Sequence, residues 1–348
     1  MKFSVGYQPS QPGEESFVDI VGEFREHVAE VYFPWVGEPS GRSPIGLRGG
    51  RPDQVAQRRL EEDLLALRGL GLRLNLLLNA NCYGARAASR QLEGRVVAVL
   101  EHLSRLVGGV EAATTASPAV AHVVKTHFPQ VETRASVNMR IGTIAGMQYV
   151  ADLFDGYHVQ RDHNRDLPHL RRLKRWADAN GKRLYLLANS GCLRFCPGQT
   201  FHDNLVAHEI ETPEADGIAG FTPFVCWRLL RDRSNWPAVL QATWIRPEDL
   251  HHYEGLFDVV KLATRTHDRP WVVLRAYAER RWRGNLLDLF EPGFSPAFAP
   301  CVLDNERFPP DWFERTSTCG HRCERCTYCV DVLREALVSV EQYAAPPA

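Results

Sequence analysis

Cysteines are the residues in this chain whose number and spacing point most directly to chemistry. The 348-residue sequence contains nine of them, and the densest group lies near its C-terminal end. Thiolates are the ligands that iron–sulfur clusters and zinc prefer. So dense a group in so polar a segment is not the pattern of buried apolar thiols, and we therefore predict a metal site there. Its four ligands would be Cys319, Cys323, Cys326 and Cys329.

A second cysteine group lies in the middle of the chain. Cys192 and Cys196 are separated by three residues and follow a predicted strand directly, and Cys226 comes later. Gly191 is expected to let the chain turn sharply, and Pro197 to keep it out of a helix. These residues predict a local chelating turn, with Cys192, Cys196 and Cys226 as metal ligands.

Two arrangements of the ligands stay open. Tightly spaced cysteine triplets are typical of cubane clusters, whose fourth ligand often lies elsewhere in the chain. The C-terminal cysteines could therefore complete a site begun by Cys192 and Cys196, or they could hold a cluster of their own. Structural zinc sites usually pair two separated knuckles, and a zinc-stabilised tail is the alternative. The isolated Cys82 and Cys301 are expected to be plain buried thiols.

Polar residues follow most of the predicted strands, as expected of a cleft for a polar ligand, although any single Asn or Ser there could equally cap a helix. Arg246 precedes a helix start at Pro247, where a carboxylate or phosphate could bind. Lys261 and Arg265 end the last predicted strand, where cations suit an anionic substrate or a structural ion pair. The candidate substrate contacts are Asn138, His202, Arg246 and Arg265.

The elements that must position these residues alternate between apolar strands and amphipathic helices. Eight strand–helix units fit a closed (β/α)8 TIM-like barrel better than a doubly wound open sheet. In such barrels the active site lies at the C-terminal ends of the strands. The predicted strands are 2–7, 29–33, 73–78, 110–112, 132–137, 157–160, 183–188 and 259–264. The helices between the first seven are predicted at 14–28, 54–70, 96–106, 117–127, 144–153 and 166–180.

Two segments depart from this alternation. The first, 191–257, is too long for an ordinary loop and is interpreted as an insertion late in the barrel. The second, 291–348, begins as an irregular connector rich in proline and continues as the Cys-rich metal-binding tail. The predicted organisation is therefore a barrel over 1–290, with its insertion, followed by that tail.

Composition excludes several classes of function. The 41 Lys and Arg residues against 42 Asp and Glu residues argue against general nucleic-acid binding. No apolar run approaches the ~20 residues that span a bilayer, and the N-terminus lacks the apolar core of a signal peptide. The protein is thus expected in the cytoplasm, where thiols stay reduced and clustered cysteines indicate metal or redox chemistry. The motifs of zinc metallopeptidases, serine hydrolases, P-loop NTPases and dinucleotide-binding proteins do not occur in the needed context.

Three motifs carry a resemblance to a known family: Val31-Tyr32-Phe33 with Gly37 and Arg42, Ala135-Ser136-Val137-Asn138, and Asn189-Ser190-Gly191-Cys192 leading to Cys196. Over roughly residues 1–270 the chain resembles the collagenase-like peptidase U32 family in its broad sense. The segments 245–250 and 261–265 are similar to a variant branch of that family. The spacing of Cys192 and Cys196 is shorter than is usual in the family, and the dense tail lies outside the family's core pattern.

The resemblance implies a barrel enzyme with a 4Fe-4S cluster held by four cysteines, and one or two clusters in this chain. Some relatives are implied to hydroxylate aromatic or nucleobase substrates without molecular oxygen, with prephenate as the oxygen donor. The implied function is an iron–sulfur oxidoreductase of the hydroxylase type, acting on a polar or anionic small molecule or a nucleobase. A second family member as a hetero-dimer partner is a further expectation. The alternatives are a peptidase or other hydrolase, as in the historical family label, and a non-catalytic partner subunit with a zinc-stabilised tail.

Overall fold

The centre of the molecule is a closed barrel of eight parallel strands, each hydrogen-bonded to the strands adjacent to it in the sequence. The computed structural model describes residues 1–10, 13–41, 47–48, 51–208 and 218–344, with backbone alone for residues 47, 48, 51, 52 and 344. The predicted TIM-like barrel is confirmed and the open sheet was wrong. The strands are β1 (Lys2–Gly6), β2 (Val28–Pro34), β3 (Arg73–Leu78), β4 (Ala112–Thr115), β5 (Glu132–Ala135), β6 (Gly156–His158), β7 (Arg183–Leu187) and β8 (Val259–Lys261).

The strands form because their apolar runs are covered on both faces. In β3, every residue from Leu74 to Leu78 is buried, and only Arg73 at its start is partly exposed. Side chains that point inward fill the barrel, and those that point outward pack under the surrounding helices. A parallel barrel strand therefore reads as a continuous apolar run rather than an alternating one.

Six helices connect the first seven strands, and each begins at a polar side chain that accepts a hydrogen bond from a backbone N–H of the first turn. Such caps set where a helix starts. The capping residues are Ser16, Asp53, Ser89, Ser117, Thr143 and Asp166. The helices are α1 (Phe17–Glu23), α2 (Gln54–Gly69), α3 (Arg90–Val107), α4 (Pro118–His127), α5 (Ile144–Gln148) and α6 (Leu167–Ala179).

Several elements differ from the sequence-based boundaries: α3 begins at Arg90 rather than at 96, α5 ends at Gln148 rather than at 153, and β8 ends at Lys261 rather than at 264. Two further differences have a clear cause. The helix predicted over 14–28 is shorter, because Ser16 caps it at Phe17 and the chain turns after Glu23 to enter β2. The strand predicted at 110–112 begins only at Ala112 and continues to Thr115. The Glu111 carboxylate before it binds Arg68 at 2.7 Å and is thereby tied to α2 instead of entering the strand.

The segment between β7 and β8 contains α7 (Gln199–Ala207), α8 (Val225–Leu229) and α9 (Pro237–Leu240). After β8 come α10 (Pro270–Glu279), α11 (Ser295–Phe298), α12 (Trp312–Ser317), α13 (Tyr328–Ala336) and α14 (Val340–Ala344). A small antiparallel pair, β9 (Cys301–Leu303) and β10 (Leu337–Ser339), ties the start of the tail to its end. The division into a barrel and a tail at residue 290 stays a prediction. Within the described ranges, no helix has the length and apolarity required to cross a bilayer.

Candidate functional site

A cavity opens at the C-terminal ends of the barrel strands, and we call it the mouth cavity. It encloses about 110 Å³, and an outer groove of about 530 Å³ adjoins it, with His202, Cys226 and Glu291 shared by both. The outer groove is large enough for a small-molecule ligand, whereas the mouth cavity admits only one end of it. The residues that define the mouth cavity include Tyr32, Asn79, Asn138, Arg161, Ser190, Cys192, Cys196, His202, Cys226, Lys261, Arg265 and Glu291.

The loop that carries Cys192 and Cys196 is fixed from two sides. The backbone N–H of Phe195 donates a hydrogen bond to the Asp162 carboxylate at 2.6 Å, which ties the loop to the end of β6. The Thr243 hydroxyl donates to the carbonyl of Ser190 at 3.1 Å. Gly191 has no positive φ, so the sharp turn expected of it is not why the site needs glycine. A Cβ atom there would collide with the carbonyl oxygen of Pro292, and glycine therefore gives the later chain room to approach.

Three cysteines line the mouth cavity together. Burial raises the pKa of the Cys226 thiol to about 11, and the neighbouring Cys192 and Cys196 add to the shift, so the three sulfurs lie within range of one another's charge. In the described ranges, no three His, Cys, Asp or Glu side chains are already arranged to hold a metal ion. The thiols would therefore have to turn toward a common centre to bind one.

Cations lie beside these thiols at the barrel end. Arg161 and Arg265 are almost fully buried, and the ammonium of Lys261 lies 3.9 Å from the centroid of the Tyr32 ring. Burial, together with the neighbouring Arg265, lowers the pKa of Lys261 to about 7, and the carboxylates of Glu30 and Glu291 oppose the shift. The cavity therefore contains positive charge that an anionic group would neutralise.

Amide and hydroxyl groups complete the polar wall. Arg265 donates a hydrogen bond to the carbonyl of Gly41, whose own N–H donates to Asn79 at 3.2 Å. A Cβ atom on Gly41 would lie 2.9 Å from the Asn138 amide nitrogen, so this chain segment packs directly against the wall. The Ser190 hydroxyl is buried and has no hydrogen-bond partner within the described part of the chain. A polar ligand would satisfy it.

The structure brings three of the four candidate substrate contacts together. Asn138, His202 and Arg265 line the mouth cavity. Arg246 is not among the described residues that line it, because its guanidinium packs over Phe308 at 4.9 Å and lies 3.4 Å from Glu248. The role proposed for Arg246 in substrate binding stays a prediction. Arg42, one of the residues that carry the family resemblance, lies outside the described residues.

Sequence reasoning missed Glu291 and Tyr32 as parts of this wall. Glu291 reaches the cavity because its backbone N–H donates to the carbonyl of Asn189 at 3.0 Å, and the Asn189 side chain donates to Leu289. The two segments are about a hundred residues apart in sequence. An acidic residue before a proline carries no local signal of such a contact.

A buried polar layer lies inside the barrel and was also not foreseen. The Arg134 guanidinium donates to both carboxylate oxygens of Glu30, at 2.6 and 2.9 Å, with both side chains essentially inaccessible to water. Ser4 and Asn75 also donate to Glu30, at 2.7 and 3.3 Å. The available sequence signal was a single Glu in the otherwise apolar β2 and an Arg in β5.

The four tail cysteines form a separate group outside the mouth cavity. Cys319, Cys323 and Cys326 are exposed and Cys329 is half-buried. Burial raises the pKa of Cys329 to about 11; the charge of Arg165 opposes the shift, and those of the other three cysteines add to it. The four sulfurs therefore lie near one another and near a buried arginine. Cys82 and Cys301 are half-buried and pack at the edge of the core.

Comparison with known proteins supports the resemblance seen in the sequence. A scan against protein-family models found no match. A curated relative, "Uncharacterized protease MJ1657" of Methanocaldococcus jannaschii, is 31% identical over 159 residues, which are 44% of this chain and 46% of the relative. The chain thus matches less than half the length of that relative.

A solved structure has the same fold. "The Structure of the U32 Peptidase Mk0906" aligns with 76% of this chain and 92% of its own, at 18% identity and a TM-score of 0.53. At that identity the likeness shows the fold, here the closed barrel with its helices. Taken together, the sequence relative, which is matched over less than half of its length, and the structural neighbour, which has the same fold, agree with the resemblance to the U32 peptidase family.

Proposed function

We propose that this protein is an iron–sulfur oxidoreductase whose cluster is held at the mouth cavity by Cys192, Cys196 and Cys226. One observation carries the proposal. The three thiols line the same cavity as Lys261 and Arg265, at the barrel end where enzymes of this fold have their active sites. The substrate class is a polar or anionic small molecule, or a nucleobase.

The donor set fits such a cluster. Soft thiolates are its usual ligands, and three of them leave one iron accessible to a further ligand. When bound, the cluster would supply one-electron chemistry. The buried cations beside it compensate the negative charge of ligated thiolates and of an anionic substrate. The carboxylates of Glu291 and Asp203 line the same cavity, and Glu291 and Glu30 act on the charge of Lys261.

The substrate would be oriented by the chain's own polar groups. Lys261 and Arg265 bind its anionic group, and the amides of Asn79 and Asn138 bind neutral polar atoms. The Ser190 hydroxyl, otherwise without a partner, is available to donate to an oxygen. The outer groove would hold the rest of the molecule, and His202 lies where the two spaces meet.

The specific form of the reaction that we propose is hydroxylation without molecular oxygen. A hydroxylated organic donor would lose hydroxide and gain two electrons and a proton at the same carbon. The substrate would lose two electrons and a proton and gain that hydroxide, so that R–H and D–OH become R–OH and D–H. We further propose that the protein acts in the cytoplasm, and that a second family member is its partner.

Anaerobic purification, followed by an absorption spectrum and analysis of iron, sulfide and zinc, tests the cluster. We expect a broad band near about 400 nm, and the loss of one cluster's share of its iron and absorbance in the Cys192→Ser, Cys196→Ser and Cys226→Ser variants. Cys82→Ser and Cys301→Ser are matched controls that should keep the band. A colourless, folded wild-type protein without iron, after anaerobic purification and reconstitution with iron and sulfide, would overturn the proposal.

Peptide hydrolysis is the second candidate, since both the sequence relative and the structural neighbour carry protease or peptidase names. A hydrolase would work without redox chemistry. Hydrolysis of a peptide library that is equally fast in the iron-free and the iron-loaded protein would favour this reading. Hydrolysis absent from both preparations would exclude it.

A further inference from the structure

We propose that Cys319, Cys323, Cys326 and Cys329 bind a second metal centre through four thiolates, and that Arg165 and Arg194 are its buried counter-charges. This inference concerns a part of the chain outside the mouth cavity and stands independently of the function proposed above. The donor set suits zinc or a cubane iron–sulfur cluster, which share the same tetrathiolate chemistry. Either centre would carry a net negative charge.

The four thiols are presented on one short, turned segment. Cys319 follows α12, and its sulfur lies 3.4 Å from Nδ1 of His321. The backbone of Gly320 and His321 has positive φ, which reverses the chain directly after Cys319. A 3-10 turn begins at Cys323, Cys326 follows that turn directly, and Cys329 lies in the first turn of α13. The four thiols are thus carried within eleven residues, and they would have to turn toward a common centre to bind a metal ion.

Two arginines lie against this segment with unused donors. Arg165 is 3% exposed, yet its Nε and Nη1 atoms have no hydrogen-bond partner among the residues that the structure describes. Arg194 leaves Nε and Nη2 in the same state, while its Nη1 contacts the His321 ring at 2.9 Å. Within the described ranges, neither guanidinium forms an ion pair with a carboxylate. Guanidinium groups that are buried without an anion are costly, so their presence here needs an explanation.

The tail cysteines are among the groups that these arginines face. The charges of Cys319 and Cys329 act on both Arg165 and Arg194, and those of Asp162 and Cys323 act on Arg194 as well. The Arg165 guanidinium also lies over the rings of Trp244 and Trp312, at 5.2 and 5.3 Å from their centroids. Arg165 is held in place from its other side, because its Nη2 donates to the carbonyls of Leu240 and Ala242 at 2.9 and 2.6 Å. Free thiols are neutral and would not balance two guanidinium groups. Four metal-bound thiolates would balance them and accept their free N–H groups.

Metal analysis of double variants tests the site. In the Cys323→Ser/Cys326→Ser variant we expect the loss of one centre relative to wild type, either one zinc or four irons with their sulfide. The matched Cys192→Ser/Cys196→Ser variant of the mouth cavity should keep that centre. Zinc and iron analysis distinguishes the two metals. A tail variant with the same metal content as wild type would overturn the proposal, whatever the mouth variant shows.

The wild-type chain provides a test that does not depend on how a variant folds. Alkylation with iodoacetamide, mapped by mass spectrometry, should be slow at the four tail cysteines in the metal-loaded protein and at least tenfold faster after chelation. Cys301, which is half-buried and isolated, is the internal control and should react equally in both. Equal alkylation of the tail cysteines before and after chelation would contradict a metal site there.

The counter-charge role of Arg165 predicts a separate effect. Removal of such an outer group from a metal site usually lowers metal affinity about 10–100-fold. Arg165→Met should weaken retention of the tail metal against a competing chelator by that factor, and Arg165→Lys should weaken it less. The exposed Arg171→Met, on α6, is the matched control and should leave it unchanged. If Arg165→Met retains the tail metal as well as the wild type does, Arg165 is not a counter-charge of that metal centre.

Discussion

The ammonium of Lys261 lies 3.9 Å from the centroid of the Tyr32 ring, at the base of the mouth cavity. The Tyr32 hydroxyl donates to the carbonyl of Leu262 at 2.8 Å, which holds the ring under the ammonium. A cation over an aromatic face is stabilised without a carboxylate partner in contact with it. The lysine is therefore kept at the cavity, where its charge depends on pH.

Anion binding to this cavity should weaken as pH rises through neutrality. Burial and Arg265 lower the pKa of Lys261 to about 7, so the side chain is charged below that pH and neutral above it. The other charged groups that face it are Glu30, Glu291 and Arg134. Sulfate, whose charge is constant here, should bind several-fold more weakly at pH 8 than at pH 6 by calorimetry.

Lys261→Met is the matched variant for this measurement. It should bind sulfate weakly at both pH values and show no change between them, because the group that titrates has been removed. A wild-type affinity that is the same at pH 6 and pH 8 would show that Lys261 does not set the charge of the cavity.

Gly41→Ala should reduce ligand binding while the protein remains folded. The added Cβ would lie 2.9 Å from the Asn138 amide nitrogen and 3.3 Å from that of Asn79, so both amides must move. Loss of about one well-placed hydrogen bond corresponds to a roughly tenfold weaker affinity for sulfate. Gly69→Ala at the end of α2, where nothing lies within 4 Å, is the control and should leave binding unchanged. Equal sulfate affinities of Gly41→Ala and Gly69→Ala would show that the amides of Asn79 and Asn138 do not contribute to binding.

The buried pair of Glu30 and Arg134 should make the free energy of unfolding decrease as pH falls from about 4.5 to about 2. Burial alone would raise the pKa of Glu30, but Arg134 holds it at about 2. Since the folded pKa is depressed, this stabilisation is fully present above the ordinary value of about 4.5 and is lost as pH falls toward about 2. Urea unfolding at several pH values should show that the free energy of unfolding falls more steeply with decreasing pH in the wild type than in Glu30→Gln.

Arg134→Met alone should cost about 3–5 kcal/mol of unfolding free energy, because it leaves the Glu30 carboxylate buried without its partner. The double variant Glu30→Gln/Arg134→Met should recover part of that loss. A double variant that is as unstable as the sum of the two single variants would mean that the two residues do not act as a pair.

Trp244 should be essential for the attachment of the tail. Its fully buried ring stacks on Trp312 at 5.6 Å and on Phe290 at 5.0 Å between centroids. Trp244→Ala should cost about 3–5 kcal/mol and make residues after 300 sensitive to limited proteolysis. Trp312→Phe is the milder comparison, because the buried Nε1 of Trp312 has no partner to lose in the described structure. Equal proteolysis in both variants would contradict this assignment.

The barrel was predictable because its strands are marked by local composition. The run from Leu74 to Leu78 is apolar except for Asn75 and is bounded by polar residues, and the predicted strand over 73–78 agrees with β3. The strand predicted at 110–112 has the wrong start because the Glu111 carboxylate is held by Arg68 of α2, which no local pattern records. Asn138 and Arg265 directly follow predicted strands, and both line the cavity, as expected of residues at the strand ends.

The rest of the site depends on contacts between distant segments. Glu291 lines the cavity only because the chain after α10 returns to Asn189. Glu30 and Arg134 are ordinary charged residues in sequence and become a pair only when β2 and β5 face each other inside the closed barrel. Arg165 looked like one of several polar residues after a strand. Its unused donors are visible only in three dimensions.

Because the chain returns to Asn189 only after the last barrel strand, the mouth cavity is completed later than the barrel during synthesis. During synthesis the ribosome releases the barrel strands first, and the wall formed by Glu291 and Pro292 emerges about thirty residues after the last strand. A nascent chain can therefore close its barrel while one side of the mouth is still open to solvent. The three mouth thiols would be accessible to a delivery protein at that stage, before the last wall segment covers them.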